Sequence, residues 1–313
     1  MFAKIGRKQL IILSILVAFI IAVILLLVSG KEQTIQNQEK QPGYTINKTI
    51  RYSFTIKNTE NRLLKNPEFW AYAPVKQTAH QKVKSLKATH KYELIQDTLG
   101  NQIMHFKFPH LAPYASKVIT VTAQLQMSQQ PNAIEKNQQT EEQTDINKLY
   151  LGAEKNIESD NKKIKQLAAK LKKTTNRETS KSINTWIENS LTYSGYIKDD
   201  RGAAYALNHK QGDCTEYAYL YTALARANQI PSRVIGGYVY KNNAILDPTD
   251  FHNWSEYYSH GKWHLVDPQG KKHEQNQQNY IAMRIISQKQ DSKMGNSHRF
   301  ITVGKGLKVK LNK

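Results

Sequence analysis

Residues 9–30, QLIILSILVAFIIAVILLLVSG, carry no charge. About twenty predominantly apolar residues are enough to cross a bilayer as a helix, so a water-soluble domain begins only after this stretch. Lys4, Arg7 and Lys8 precede it, whereas Lys31 is followed at once by Glu32 and a polar run. The basic flank belongs on the cytoplasmic side. This predicts a single-pass inner-membrane anchor in residues 1–30, its N-terminus cytoplasmic, with the rest periplasmic or otherwise extracytoplasmic. Val28-Ser29-Gly30 could also act as a signal cleavage site. The stretch, however, is longer than the roughly 7–15 apolar residues of a secretory signal, which favours the uncleaved anchor. Either reading delivers residues 31–313 across the membrane.

At 313 residues the chain is long enough for about two domains. Its 39% apolar and 22% charged residues are those of a globular protein. A net charge of +20 favours anionic partners: nucleic acid, acidic headgroups or an anionic polymer. No zinc-finger spacing or aromatic–basic RNA-binding motif is present, so nucleic acid is not expected. Lipid headgroups or wall polymers are the expected counterpart.

Residues 31–43 are Gln-rich and end in Pro-Gly, as a flexible tether does. From Tyr44, YTINKTIRYSFTIKN alternates with β-branched and aromatic residues. ELIQ and IMHFKF flank Asp-Thr-Leu-Gly-Asn, a hairpin with a loop longer than two residues, and SKVITVTAQLQM alternates again. Short strands without a convincing helix predict a β-sandwich-like domain over 44–127. His80, His90, His105 and His110 are scattered there without the close spacing of zinc ligands. A second low-complexity linker covers 128–145. Beyond it the period turns helical: Ile164, Leu167, Ala168 and Leu171, then Ile183, Trp186, Ile187 and Leu191. The expected fold class is α+β, with residues 146–313 forming a second domain. Its C-terminal GKGLKVKLNK predicts a last strand with lysines facing out, as on a protected edge. Those lysines could equally form a basic patch for an anionic surface.

The chain has one cysteine. An odd thiol beyond the membrane is either an intermolecular partner or a free reactive group. Gly212-Asp213-Cys214-Thr215-Glu216 reads as a helix start, with Asp213 as N-cap and Glu216 at capping-box spacing. Ala218, Tyr221, Leu224 and Ala225 give an apolar stripe that Pro231 ends. Cys214 then lies in the first turn, where exposed N–H groups and the helix dipole stabilise a thiolate. The two carboxylates beside it oppose this. A nucleophile also needs a base, most often a histidine.

Downstream, residues 251–258 and 262–267 read as two strands joined at His260-Gly261. A two-residue loop sets Ser259 against Lys262 and Trp254 against Asp267, so His252 and Asp267 share a face as diagonal neighbours. Such positions are about 7–8 Å apart at the backbone, within reach of long side chains. A one-residue slip would separate them. A thiol, an imidazole and a carboxylate in this arrangement suit acyl transfer: the base takes the thiol proton, the carboxylate orients the base, and the thiolate attacks an acyl carbon.

GDCTEYAYLYTALARANQIPSRVIGGY, followed by HNW and GKWHLVDP, resembles the core of the transglutaminase-like superfamily, over roughly 146–267. The resemblance implies a papain-like fold with Cys214 as nucleophile, His252 as base and acid, and Asp267 as orienting carboxylate. It also implies an oxyanion hole that includes the Cys214 N–H. Gln211 and Tyr193 are both candidates for its second donor. Arg233, Trp254 and Trp263 match scaffold positions. Gln229 stands where glycine is usual. Residues 97–125 resemble, more loosely, the β-domain that precedes this core in some membrane-anchored bacterial members. No metal or organic cofactor is implied, and His260 and His264, on a hairpin, read as surface residues.

The resulting expectation is a membrane-anchored thiol acyl-transfer enzyme acting on a protein or peptide substrate or on cell-envelope material. It would be a protease or amidase if water resolves the thioester, or a transglutaminase-like acyltransferase if an amine does. The competing readings are a non-catalytic scaffold that binds peptide or envelope components, and a redox role, for which a resolving cysteine is missing.

Overall fold

Alternating burial along β1 (Ile46–Asn58) turns Lys48, Ile50, Tyr52, Phe54 and Ile56 inward, as its sequence pattern predicts. The computed structural model describes residues 43–132, 148–287, 294–295 and 297–313. The anchor expected in residues 9–30 and most of the 128–145 linker lie outside these. Among the described residues no helix is long and apolar enough to cross a membrane.

β1 pairs along most of its length with β6 (Ser116–Met127), which pairs in turn with β3 (Gln81–Ala88). A second sheet contains β2 (Glu68–Ala73), β4 (Glu93–Gln96) and β5 (Gln102–Lys107). The two share an apolar core in which Ile50, Phe54 and Ile56 meet Phe69 and Phe106, the last two stacked at 4.7 Å. Asp97 closes the β4–β5 loop by accepting the N–H groups of Leu99 and Asn101.

The rest is mixed α/β. Helices α1 (Lys162–Leu171), α2 (Asn176–Ser190), α3 (Gly202–His209) and α4 (Cys214–Ala227) surround one face of a five-stranded sheet. That sheet contains β7 (Ser232–Val239), β8 (His252–Ser259), β9 (Lys262–Asp267) and β10 (Tyr280–Ile286), in the order Lys272–His273, β9, β8, β7, β10. α4 is central, with all but its ends buried. Ala218, Ala223 and Ala225 let the other helices and the sheet approach it closely. Gln229 follows it at φ 63°, the left-handed region that glycine occupies at least cost, which explains why glycine is usual there.

Three strands of the 146–313 region build into the sheets of the 44–127 region. β11 (Phe300–Val303) pairs with β2, while β12 (Leu307–Leu311) and the short strand Ala244–Ile245 pair with β1. Alternation identifies a strand but not its partner, so the sequence does not disclose this exchange. Lys308 and Lys310 point out from β12 while Leu307 and Leu311 are buried. Amide side chains bind the halves together. Gln81 bonds both the N–H and the C=O of Ala282, and Asn101 does the same to Ile285. Lys48 donates to the carbonyls of Tyr240 and Gln278, and its burial lowers its pKa to about 8.

Candidate active site

Cys214 is the first residue of α4. The capping box predicted from its sequence is complete: Asp213 accepts from the Thr215 N–H at 2.8 Å, and Glu216 accepts from the Asp213 N–H at 3.1 Å. Asp213 also accepts from Ile197 and Glu216 from Arg201, which ties the 197–201 loop to the helix start. Burial and the neighbouring Asp213 carboxylate raise Glu216 to about 7, against the two N–H groups that favour its charged form. Gly212 is required by contact: a Cβ there would lie 2.4 Å from the Glu216 Cβ.

β8 and β9 form the hairpin in the predicted register, Ser259 opposite Lys262 and Ser255 opposite Val266. His260 and Gly261 turn the chain at φ 50° and 74°. The same register sets Trp254 opposite Asp267, and His252 reaches diagonally across: its Nε2 lies 2.8 Å from Asp267 Oδ2. Asp267 is buried and fully engaged. Its Oδ2 also accepts from the Tyr280 hydroxyl at 2.9 Å, and its Oδ1 from the Gly270 N–H at 2.8 Å. A Cβ on Gly270 would sit 2.3 Å from that carboxylate. Trp254 lies nearly parallel to the His252 ring at 6.4 Å and edge-on to Tyr280 at 5.2 Å, fixing the imidazole plane.

Cys214 lies close enough to His252 to act on its charge. Since Nε2 is held by Asp267, Nδ1 is the nitrogen left to face the sulfur. Burial disfavours the imidazolium. The hydrogen bond to Asp267 and the charges of Asp267 and Cys214 outweigh it and raise His252 to about 10. Of the three residues singled out in the sequence, His252 and Asp267 are hydrogen-bonded, and Cys214 acts on the His252 charge. Gln211 spends its amide on the Tyr205 hydroxyl. Tyr193 lies on the short strand beside Gly212 and is half exposed; its pKa is raised by burial, then by the Cys214 and Asp213 charges. Arg233 has the scaffold role expected of it, paired with Glu256 at 2.7 Å and stacked over Trp263 at 4.0 Å.

The thiol opens into a cleft of about 720 Å³. One wall is the 196–200 loop, another Phe251 and Asn253, and the third is residues 297–300 leading into β11. Sequence reasoning missed three parts of this site. Gly270, three residues past Asp267, carried a turn signal; Tyr280 and the 297–300 wall carried none.

Residues 165–268 match the family model of the transglutaminase-like superfamily. No curated protein matches the chain. Of solved structures, a candidate cysteine protease from Cytophaga hutchinsonii is similar at 19% identity with a TM-score of 0.52, over 85% of this chain and 92% of that one. The periplasmic domain of TgpA from Pseudomonas aeruginosa is similar at 14% identity with a TM-score of 0.38, over 70% of this chain and 88% of that one.

Proposed function

Residues 165–268 belong to the transglutaminase-like superfamily, and from this premise we propose that the chain is a thiol acyl-transfer enzyme that works through a thioester on Cys214. The observation that carries the proposal is the His252–Asp267 hydrogen bond beside Cys214, whose thiol opens into a cleft.

His252 takes the thiol proton and holds it, because the imidazolium is favoured up to about pH 10. The thiolate attacks the carbonyl carbon of an amide. The developing oxyanion is met by the backbone N–H of Cys214, which as the first residue of α4 has no intrahelical acceptor. Tyr193 is the second donor in this reading, since its hydroxyl is near the sulfur and Gln211 is engaged elsewhere. Collapse of the tetrahedral intermediate breaks the C–N bond, and His252 delivers its proton to the leaving amine. Neutral His252 then deprotonates a water or an amine, which releases the acid or the new amide and restores the thiol. Asp267, held by Gly270 and Tyr280, keeps the ring in place throughout. We place the chain in the inner membrane through residues 9–30, with this site outside the cytoplasm and a protein, peptide or envelope component as substrate.

The test is the rate of Cys214 alkylation by iodoacetamide against pH, in the full chain in detergent beside His252→Ala. Fast alkylation well below the free-thiol pKa of about 8.5, lost in the variant, supports the proposal. Ordinary thiol kinetics, unchanged by the substitution, refute it.

A further inference from the structure

The charged groups around the cleft are unevenly satisfied. Asp213 is buried and accepts two backbone N–H groups at the dipole-positive start of α4. Asp200 accepts from the Tyr219 hydroxyl at 2.7 Å and lies 3.7 Å from His298 Nε2. On the rim, Asp247 is turned into its own cap on Thr249, and Asp250 accepts from the Tyr240 hydroxyl. Apart from the exposed Asp199, which does not line the cleft, the carboxylates here thus already have donors.

The cations differ. Arg299 lies on the 297–300 wall, half-buried, its guanidinium 5.0 Å from the centre of the Phe251 ring, and Phe251 immediately precedes His252. Lys198, on the 196–200 loop, lines the same cleft. Among the described residues neither has a carboxylate within ion-pair distance. Behind the wall, buried Arg284 donates to the carbonyls of Ser297 and Gly295 and lies over the Tyr72 ring, and among the described residues it has no carboxylate within ion-pair distance. His298, between these groups, registers the field. Its pKa is lowered by burial first, and the nearby Arg284 and Arg299 lower it further while Asp200 and Asp213 oppose them. A guanidinium spread over an aromatic ring keeps its planar fork free for a carboxylate, which it binds with two parallel hydrogen bonds.

We propose that Arg299, together with Lys198, forms an anion subsite of this cleft, so that the acyl donor delivered to Cys214 carries a carboxylate on the side facing residues 297–300. This rests on the acyl-transfer reading for its meaning. Arg299 lies outside the superfamily match of 165–268 and Lys198 inside it, so the subsite joins this chain's C-terminal segment to the shared core.

Because the chain has one cysteine, maleimides of different charge report on one place. The probes are N-ethylmaleimide, 3-maleimidopropionic acid and a trimethylammonium-bearing maleimide, used on the full chain in detergent. Their rates are normalised to those of N-acetylcysteine amide, an uncharged thiol, which removes intrinsic reactivity without adding a charge preference. The normalised carboxylate-to-neutral ratio is expected to exceed one by about threefold, the size of one partly exposed charge pair. The trimethylammonium ratio should lie below one, and both effects should shrink at high salt. Arg299→Gln should cut the carboxylate preference by about threefold and Lys198→Gln by less, while Arg299→Lys should restore part of it. Lys198 is exposed, so its variant tests the subsite even if Arg299→Gln folds poorly. Ratios near one for the unaltered chain, or a preference unmoved by both Gln variants, overturn the subsite. The acyl-transfer reading fails separately: all three probes would then react at an ordinary thiol rate with ordinary pH dependence, and their ratios would still report the charge of the cleft.

Discussion

The two halves of the molecule are held together by different chemistry. Between the β1 and β2 sheets the contacts are aliphatic and aromatic, as where Phe69, stacked on its sheet neighbour Phe106, meets Phe54 edge-on. Around α4 the buried contacts include full charges. Arg226 and Glu154, both fully enclosed, pair at 2.7 Å, and Glu154 also accepts from Ser287. Arg233 and Glu256 pair likewise, and Asp267 is buried against His252. Apolar packing is non-directional and holds the sheets against each other. Buried pairs fix position, since each group loses its partner if it moves, and they occur where a sulfur and an imidazole must meet. The comparison teaches that this fold places its fully buried Arg–Glu pairs in the half that carries the candidate site.

Breaking the chemistry without touching either kind of packing should give the largest effect. Cys214→Ala is expected to abolish labelling by thiol reagents and any acyl-transfer activity while leaving the denaturation midpoint nearly unchanged, read by mass spectrometry and urea titration. Asp267→Asn keeps the shape of the pair but removes its charge. It should slow Cys214 alkylation at pH 6 by about 10²-fold or more, with the unfolding curve moved much less than the rate.

The packing contrast is tested by a matched set. Glu154→Ala strands Arg226 and should cost about 3–5 kcal/mol; Phe69→Ala leaves a cavity and should cost a similar ~3–5 kcal/mol. The two part company on repair. Replacing Glu154 and Arg226 together by methionine should recover most of the loss, because the stranded charge is gone. A compensating change opposite Phe69 has no charge to remove and must refill a volume. Equal recovery in both, measured by urea unfolding, would dissolve the distinction.

A smaller effect concerns pH. The folded pKa of His252, about 10, lies above its unfolded value near 6.5. Its contribution to stability is therefore complete below pH 6.5 and is lost as pH rises through 10. The stability difference between the unaltered chain and His252→Gln should shrink across that window. A difference constant from pH 6 to 10.5 would contradict the assigned shift. Smallest of all, Lys308→Thr with Lys310→Thr should alter stability by no more than about 0.5 kcal/mol, yet raise aggregation in light scattering, since exposed lysines protect an edge.

Local geometry decided what could be read from the sequence. The capping box at Asp213 and the β8–β9 register follow from neighbours within a few residues, so Cys214, His252 and Asp267 could be picked out before any tertiary structure. In 44–127, β1 and β6 announced themselves by alternation, whereas β2, buried along nearly its whole length, did not and read as a break in the pattern. What stayed hidden depends on distant segments: Tyr280 reaching Asp267, Gln81 and Asn101 bonding the edge of β10, and Arg299 brought to the cleft by β11. A side chain that bonds a partner many residues away leaves no periodic mark.

β12 gives the fold an order in time. β1 is made before its partner, for one of its edges is filled by residues 307–311, far along the sequence. The first sheet therefore waits for that stretch, and pairing across so long a separation is slow to form. Residues 297–300 enter the structure with the same stretch, which then completes the cleft. Until that stretch is made, the thiol lacks one wall of its cleft. Cleavage or truncation near residue 295 would return the protein to that unfinished condition.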